Sequence, residues 1–261
     1  MSQPSLRELL DVATEAAHAA GTRALGYFKV GEHALGIERK GDDTPVTVAD
    51  RSAETVCRDV LSRYFPTHKI TGEEHPDQGS DDRYTWIIDP IDGTKSFIYG
   101  VPLWGTLLGC LVDGKPSVGV IYCAGLDEMV AAADGEGCWF NGRRAKCSDV
   151  ARIEDAAIST TSITRAIDRS GAYRDMADRA KLNRGWGDAY AYLSVAMGRT
   201  DAALDPKVSV WDVSPYPPIF REAGGHWGNW NGESDIKGND SFACAAGLKD
   251  EILATIKKHE S

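Results

Sequence analysis

Two carboxylates stand at the end of an apolar run in the sequence WIIDPIDGTKSF, residues 86–97. Asp89 and Asp92 flank a turn, because Asp-Pro and Asp-Gly pairs are common turn formers: Pro fixes φ, and Gly accepts a positive φ. An ordinary turn is therefore one interpretation. The other is a site for a divalent cation, since hard carboxylate oxygens are the protein ligands that Mg²⁺ prefers.

Three further acids have neighbours that favour the same chemistry. Asp50 ends the run TPVTVAD, Glu73 follows a short apolar run in ITGEE, and Asp212 stands at a predicted helix start in VWDVS. Taken singly, Asp50 and Asp212 could be helix N-caps and Glu73 a solvated loop acid. Acids after strands or at helix starts fall on one rim of a layered fold, where they repel one another unless cations neutralise them. Gly93 and Thr94 begin another predicted helix, whose free N–H groups could receive a phosphate.

The spacing of Asp89 and Asp92 does not favour one rival mechanism. Phosphatases of the haloacid dehalogenase type use a strand that ends in DxDGT, in which the nucleophile and its acid/base partner occupy alternate strand positions. Two residues, not one, separate the acids in this sequence. The spacing is therefore wrong for a mechanism in which the first aspartate is the nucleophile.

The composition restricts the class of protein. The chain has 261 residues, enough for one or two domains, and its formal net charge of -10 argues against a nucleic-acid partner. No apolar run reaches the ~18 residues needed to span a membrane, and the amphipathic, acid-containing N-terminus differs from a signal or transit peptide. Six scattered cysteines and six histidines without ligand spacing do not favour a zinc site. We expect a cytoplasmic protein with no membrane partner.

The first half of the chain is predicted to place these acids on alternating helices and strands. Apolar residues at helical spacing predict a long helix over residues 4–28, and a second helix is expected over 51–64. Short strands surround a turn at 41–43. The run YTWIIDP is predicted to be a buried strand, and a meander of antiparallel strands with Asp-Gly and Asn-Gly turns follows it.

The second half of the chain has a different pattern of predicted elements. We expect strands in AAISTTS and DAALDP, and helices over residues 170–181, in GDAYAYLSVAMGR, in VSPYPPIFREAGG and in EILATIKKH. Helices thus alternate with mixed sheets in layers. The predicted fold class is α+β, with two abutting lobes at residues 1–150 and 151–261.

Four ordered motifs resemble those of the inositol monophosphatase family, the magnesium-dependent, lithium-sensitive phosphatases. The segment WIIDPIDGT resembles its first signature, and WDVSPYPPIFREAGG at 211–225 resembles its second. PVTVAD at 45–50 and TGEE at 71–74 match two further family elements in the right order. The resemblance covers nearly the whole chain. It implies the layered α-β-α-β-α sandwich of the inositol monophosphatase and fructose-1,6-bisphosphatase type, and a homodimer.

The resemblance also implies roles for individual residues. Two or three Mg²⁺ ions would bind between phosphate and water, neutralise charge and lower the pKa of the water. Asp50 and Thr94 would position and deprotonate this water. The implied metal ligands are Glu73, Asp89, the carbonyl of Ile91, Asp92 and Asp212; the catalytic residues are Asp50, Glu73 and Thr94; the residues around the phosphate are Asp92, Gly93, Thr94 and Asp212.

Two details concern the surroundings of this site. Lys40, before the loop GDDT, either shapes the metal site or is simply solvated. Pro217 should distort the helix after Asp212, because an interior proline removes a helix hydrogen bond, whereas Pro215 is tolerable in a first turn.

The family's leaving-group pocket matches Gly187, Asp188, Ala189 and Asp205 in this sequence. Asp188 adds negative charge where a neutral polyol needs only a hydroxyl partner, and an unpaired buried acid is costly. A cationic leaving group is therefore favoured. The run GDAYAYLSVAMGRTDAALDP resembles the histidinol-phosphate phosphatase branch, so we expect hydrolysis of L-histidinol phosphate, a reaction of histidine biosynthesis.

Other interpretations stay open at this point. The substrate could be inositol 1-phosphate or another ester, such as fructose bisphosphate or phosphoadenosine phosphate. Asp188 could be only a helix N-cap. A different class is a non-catalytic, metabolite-sensing protein on the same fold, which would be expected to have lost a metal ligand; every implied ligand is present in this sequence.

Overall fold

The computed structural model describes residues 3–30, 35–39 and 45–259, so Lys40 and the turn predicted at 41–43 lie outside the described residues. The described helices are α1 (Leu6–Leu25), α2 (Val48–Tyr64), α3 (Thr94–Ile98), α4 (Ile163–Arg169), α5 (Gly171–Arg179), α6 (Asp188–Ala196), α7 (Val210–Val213), α8 (Tyr216–Ala223) and α9 (Lys249–Lys258). The described strands are β1 (Glu38–Arg39), β2 (Pro45–Val46), β3 (His68–Gly72), β4 (Asp81–Asp92), β5 (Gly105–Val112), β6 (Lys115–Cys123), β7 (Glu128–Ala133), β8 (Gly137–Phe140), β9 (Arg143–Arg144), β10 (Ala157–Ser159), β11 (Leu182–Arg184), β12 (Ala202–Asp205), β13 (Gly225–Gly228) and β14 (Ser241–Ala245).

The two long helices, α1 and α2, begin with the same local device, a capping box. Ser5 and Glu8 exchange backbone and side-chain hydrogen bonds at the start of α1, and Thr47 and Asp50 do so at the start of α2. Each box satisfies backbone N–H groups that have no partner within the helix. Both helices match the predicted ones within about three residues. None of the described helices is both long and apolar enough to cross a membrane, and the cytoplasmic location stays a prediction.

A sheet of 7 strands, in the order β3-β4-β5-β6-β7-β8-β9, forms the larger layer. Only β3 and β4 are parallel; β4 to β9 form the antiparallel meander that the Asp-Gly and Asn-Gly turns predict. The parallel pairing places Gly72, at the end of β3, opposite Ile88 in β4. The ends of these two strands therefore lie side by side, and the residues that follow them share one edge of the sheet.

The second sheet has 5 strands in the order β11-β10-β12-β14-β13. Strand β10 pairs in parallel with β11 and β12, whereas β14 pairs antiparallel with β12 and β13. Together the two sheets and their helices form five layers: α1 and α2, the larger sheet, α6 and α8, the smaller sheet, and α5 with α9. Representative residues of the three cores between these layers are Leu9, Ala13 and Trp86; Leu107, Phe220 and Ala243; and Tyr173, Phe242 and Ile252.

This arrangement confirms the predicted α+β class and the α-β-α-β-α order. The core between the two sheets contains Leu107 and Ile121 as well as Tyr192 and Phe220, and thus draws on both sides of residue 150. The division into lobes at residues 150 and 151 stays a prediction. Helix α4 and strands β11, β13 and β14 are elements that the sequence analysis missed.

The structure has two helices where the sequence predicts one after Asp212. Helix α7 ends at Val213, and α8 begins anew at Tyr216 after a break at Ser214 and Pro215. Pro217 therefore lies in the first turn of α8, where backbone N–H groups have no intrahelical partner and proline is well tolerated. The predicted distortion of a continuous helix by Pro217 is wrong, because the break precedes it.

Candidate active site

A β-bulge brings Asp89 and Asp92 to the same side of strand β4. Residues three apart on a regular strand point to opposite faces of the sheet. Here Asp89 pairs with Leu107 of β5, while Asp92 pairs with Gly105, so β4 contains one extra residue between these pairs. Bulges re-aim side chains in this way and often lie next to active sites. The DPID spacing thus becomes productive only through the irregular pairing with β5.

The third acid, Asp212, approaches from the start of α7. Ser209 precedes this helix, and the Ser209 backbone N–H donates to Asp212 Oδ2 at 2.7 Å. Asp212 is therefore the third helical residue of a capping box rather than the N-cap that was considered from the sequence. The same correction applies to Asp50, which is the third residue of α2. In both places the short helix start fixes the direction of the carboxylate.

One oxygen each of Asp89, Asp92 and Asp212 lies within 4.8 Å of the others. Asp89 is 2% exposed, and the other two are half-buried. Burial raises the pKa of Asp89 and of Asp92 well above the ordinary value of 3.8, and the neighbouring carboxylates raise it further. Burial also raises the pKa of Asp212 to about 7, against the opposing hydrogen bond from Ser209. Three crowded acids are thus costly to ionise together.

The chemistry of this donor set fits a divalent cation. Within the described part of the chain, no lysine or arginine side chain forms an ion pair with Asp89, Asp92 or Asp212. A hard cation would satisfy the three carboxylates at once and reverse the effect of their mutual repulsion. The cluster therefore has the composition and closeness of a site that could hold a metal ion, and it lines a cavity of about 590 Å³.

Glu73 lies beside this cluster without belonging to it. It follows β3 directly, and its backbone N–H donates to the Ile88 carbonyl at 3.2 Å, one residue before Asp89. The Glu73 carboxylate lines the same cavity as the three aspartates. Among the neighbouring carboxylates, Glu73 makes the largest contribution to the raised pKa of Asp89, after the effect of burial.

The turn between Asp92 and α3 presents backbone groups to the cavity. Gly93 has φ of 86°, a left-handed conformation that glycine adopts without strain, and it precedes the first residue of α3, Thr94. The Thr94 hydroxyl donates to the Ile91 carbonyl at 3.1 Å, and the Ile91 N–H donates to Asp89 Oδ1 at 3.0 Å. Ile91, Gly93 and Thr94 all line the cavity.

Asp50 is buried in the first turn of α2. Its Oδ2 accepts hydrogen bonds from the Thr47 backbone N–H at 2.8 Å and from the Thr47 hydroxyl at 2.6 Å. Burial raises the pKa of Asp50 to about 7, against these two hydrogen bonds, and the charges of Glu74 and Glu73 add to the increase. Asp50 and Thr94 do not hydrogen-bond to each other in the described structure, in which the Thr94 hydroxyl points to Ile91.

Asp188 lies over the turn at Gly93. It is the first residue of α6 and has a positive φ of 53°, while Gly187 occupies the N-cap position without a side-chain bond. The alternative that Asp188 is an N-cap is therefore wrong. A Cβ at Gly93 would lie 3.0 Å from Asp188 Oδ2. Strained backbone of this kind clusters at functional sites, where the surrounding structure holds it in place.

A chain of hydrogen bonds positions Asp188. Asp205 Oδ1, at the end of β12, accepts from the Thr161 backbone N–H at 2.8 Å and from the Thr160 hydroxyl at 3.3 Å. The Thr161 hydroxyl then accepts from the Asp188 backbone N–H at 2.8 Å. Burial raises the pKa of Asp205, and it raises that of Asp188 to about 7.

Of the four residues predicted to form the leaving-group pocket, two line a cavity and two do not. Asp188 and Asp205 line a small cavity of about 50 Å³ together with Asp92. Gly187 and Ala189 are buried and line neither this cavity nor the larger one. Their assignment to the substrate pocket stays a prediction, as do the roles given to the other site residues.

The main cavity, of about 590 Å³, has further lining residues that the sequence analysis did not identify. They include three cations, Lys95, Arg165 and Lys207, and two uncharged side chains, Thr161 and Trp211. Lys95 and Trp211 adjoin the DPIDGT and WD motifs, so their proximity to the motifs was a usable signal. Thr161, Arg165 and Lys207 reach the cavity only through the packing of the smaller sheet, and no local pattern marks them.

Comparison with known proteins shows what the whole chain is similar to. Residues 5–261 match the model of the inositol monophosphatase family. The histidinol-phosphatase of Chlorobaculum parvum is 38% identical over 238 residues, which cover 90% of this chain and 91% of that protein. The histidinol-phosphatase of Mycobacterium tuberculosis is 36% identical, with 85% and 88% covered. The solved structure of an inositol monophosphatase from Anabaena (Nostoc) superposes with a TM-score of 0.83 at 30% identity, covering 97% of each chain.

Proposed function

This chain belongs to the inositol monophosphatase family, and on that premise we propose that it is a Mg²⁺-dependent phosphatase that hydrolyses L-histidinol phosphate to L-histidinol and phosphate. The observation that carries the proposal is the cluster of Asp89, Asp92 and Asp212 beside the start of α3. The relatives named histidinol-phosphatase, at 38% and 36% identity, support the choice of ester.

In this proposal the metal ligands are the three clustered aspartates, Glu73 and the Ile91 carbonyl. Two or three Mg²⁺ ions would neutralise the phosphate and lower the pKa of the attacking water when bound. Raised carboxylate pKa values in the described structure are consistent with a site that is incomplete without positive charge. The backbone at Gly93 and Thr94 would hold phosphate oxygens through N–H groups without intrahelical partners.

Asp50 and Thr94 handle the attacking water in this proposal. The Thr94 hydroxyl lines the cavity and can orient the water there. Asp50 would accept the proton, and its pKa of about 7, raised by burial, suits a general base at neutral pH. Glu73, which faces the same cavity, would assist the base as well as bind metal.

The leaving group would lie against Asp188. Four acids, Asp92, Asp188, Asp205 and Asp212, line the small cavity together with one cation, Lys207. An ammonium or imidazolium group can form charge-assisted hydrogen bonds with carboxylates, which are stronger than those of a neutral hydroxyl. This acidic surface favours histidinol phosphate, whose leaving group is cationic, over a polyol phosphate.

Inositol 1-phosphate is the second candidate substrate. Carboxylates also accept hydrogen bonds from hydroxyl groups, and the Anabaena structure that shares this fold is named an inositol monophosphatase. A non-catalytic, metabolite-sensing protein is a third interpretation. The presence of every proposed ligand around one cavity favours an enzyme over it.

A phosphate-release panel tests the proposal. The purified chain is incubated with histidinol phosphate, inositol 1-phosphate or fructose 1,6-bisphosphate, each with Mg²⁺ and each with EDTA. We expect the highest kcat/KM for histidinol phosphate, and no release in EDTA. Faster release from inositol 1-phosphate would support the second candidate, and no release from any ester with Mg²⁺ would support the non-catalytic interpretation. We also expect inhibition by lithium and, by light scattering, a homodimer.

A further inference from the structure

A buried ion pair on α2 joins Glu54 to Arg58. Glu54 is fully buried, Arg58 is 6% exposed, and Arg58 Nε donates to Glu54 Oε1 at 2.7 Å. A buried pair of this kind is weak support for stability by itself, because desolvation of two charges can exceed their attraction. The other hydrogen bonds of the pair indicate a different role, because they join it to a neighbouring loop.

Each remaining bond of the pair goes to residues 73–78, which we call the Glu73 loop. Glu54 Oε2 accepts from the Glu74 backbone N–H at 2.7 Å. Arg58 Nη2 donates to the His75 carbonyl at 3.1 Å, and Nη1 donates to Gln78 Oε1 at 3.3 Å. The pair therefore forms three hydrogen bonds with the loop, and one of them is to the residue immediately after Glu73.

Gly72 allows Glu54 to come this close. A Cβ at Gly72 would lie 2.0 Å from Glu54 Oε1, a distance that no real side chain tolerates. Gly72 is the last residue of β3 and pairs with Ile88, so the next residue on each strand is Glu73 or Asp89. The absence of a side chain at position 72 thus lets the ion pair contact the chain where β3 ends and Glu73 begins, beside Asp89 in β4.

The same helix also carries Asp50. Residues four apart lie on one face of a helix, so Asp50, Glu54 and Arg58 follow one another along the face of α2 turned to the site. Helix α2 therefore connects the proposed base to the Glu73 loop.

We infer that Glu54 and Arg58 are positioning residues. They hold Glu73 in the direction required for metal binding and fix its position relative to Asp50. The inference rests on the proposed function, in which Glu73 is a metal ligand. Neither residue lines the cavity, so each acts through the backbone of the Glu73 loop. Groups that orient metal ligands typically change metal affinity about 10- to 100-fold when mutated.

Glu54→Gln tests this inference with little change of shape. A carboxylate offers two acceptor oxygens, whereas an amide offers one acceptor and one donor. The variant must therefore lose either the bond to Glu74 N–H or the bond to Arg58 Nε. We expect the dissociation constant for Mn²⁺, measured by calorimetry on the full chain without substrate, to rise about 10- to 100-fold. With saturating Mg²⁺, kcat should recover, and the substrate KM should change little.

Val60→Ala is the matched control. Val60 is buried on the same helix and belongs to the core that includes α1, and it forms none of the side-chain hydrogen bonds described above. It should lower the free energy of unfolding without changing the affinity for Mn²⁺. Gln78→Ala is the second test variant: Gln78 is exposed, so this variant should fold. It loses the Arg58 contact together with the bond from Gln78 Nε2 to Ser62 Oγ on the same helix, and it should weaken Mn²⁺ binding about 2- to 10-fold.

A double-mutant cycle with Glu73→Gln separates positioning from general damage. If the ion pair acts through Glu73, Glu54→Gln should weaken Mn²⁺ binding far less in the Glu73→Gln background than in the wild type. Unchanged Mn²⁺ affinity in Glu54→Gln and Gln78→Ala, or additive losses in the cycle, would overturn the inference. A wild-type chain that binds no Mn²⁺ and releases no phosphate would instead overturn the proposed function.

Discussion

Asp92 has the clearest consequence at the scale of a single residue. Asp92→Asn keeps the shape of the side chain and removes one of three crowded charges, so the metal-free protein should stay folded, with an unchanged or higher melting temperature. Turnover should be lost, because an amide is a weaker ligand for a hard cation than a carboxylate. Thermal unfolding and phosphate release measure the two effects. Normal turnover of Asp92→Asn at ordinary Mg²⁺ concentrations would contradict the proposed metal site.

Thr94 tests the handling of water. Thr94→Ala removes the hydroxyl that lines the cavity and donates to the Ile91 carbonyl. We expect kcat to fall about 10²- to 10⁴-fold, the usual contribution of acid–base and positioning groups, while calorimetry shows an affinity for Mn²⁺ close to that of the wild type. Thr94→Ser, which retains the hydroxyl, is the control. A large loss of Mn²⁺ affinity in Thr94→Ala would make Thr94 a ligand instead.

Asp188 tests the choice of ester. Asp188→Asn deletes a charge beside the proposed position of the leaving group and preserves the shape of the side chain. A charge-assisted hydrogen bond contributes about 1.5–3 kcal/mol, so kcat/KM for histidinol phosphate should drop roughly 10- to 150-fold. Activity on inositol 1-phosphate should stay level or rise. Since both esters are measured on one variant, damage to the fold or metal site cancels, and equal losses would favour inositol phosphate as the substrate.

At the scale of elements, the two capping boxes form a natural comparison. Thr47→Ala removes the cap of α2 and the 2.6 Å hydrogen bond to Asp50, and Ser5→Ala removes the equivalent cap of α1. Each should lower the free energy of unfolding by about 0.5–2 kcal/mol, measured with denaturant. Only Thr47→Ala should affect activity.

The reason is the pKa of Asp50. Burial raises this pKa, and the hydrogen bond from the Thr47 hydroxyl opposes the increase. Without that bond the carboxylate should hold its proton to a higher pH, so the acidic limb of the kcat/KM profile should move upward in Thr47→Ala. An unchanged profile in Thr47→Ala, or the same shift in Ser5→Ala, would argue against Asp50 as the base.

At the scale of the whole molecule, the clustered acids couple stability to pH and metal. Asp50, Asp188 and Asp212 have an ordinary pKa of 3.8 that burial raises to about 7 in the folded protein. The folded state then binds more protons than the unfolded state between these values. These groups therefore stabilise the metal-free protein below about pH 4, and their contribution is lost as the pH rises towards 7.

Mg²⁺ should act in the opposite direction. It binds deprotonated carboxylates of the folded state, so its affinity and its stabilisation of the fold increase with pH. We expect the increase in melting temperature on addition of MgCl₂ to be larger at pH 8 than at pH 5.5, with little increase at either pH for Asp92→Asn. Equal increases at both pH values in the wild type would show that Mg²⁺ does not compete with protons for this cluster.

The sequence by itself determined the features that depend on neighbouring residues. Helical spacing of apolar residues predicted α1, and a helix expected over residues 51–64 matches α2, because such signals lie within the helix itself. Turn residues predicted the antiparallel meander for the same reason. The four acidic motifs, each a short ordered string, were sufficient to indicate the family and the metal chemistry.

Only the tertiary structure decided how these acids meet. Asp89 and Asp92 converge through a bulge that exists only in the pairing of β4 with β5, and Asp188 reaches Gly93 through Thr161 and Asp205 on the smaller sheet. The break before α8 likewise changed the role of its prolines. Such contacts join segments separated by tens of residues, so their geometry results from the packing of whole layers, which no local pattern of residue types encodes.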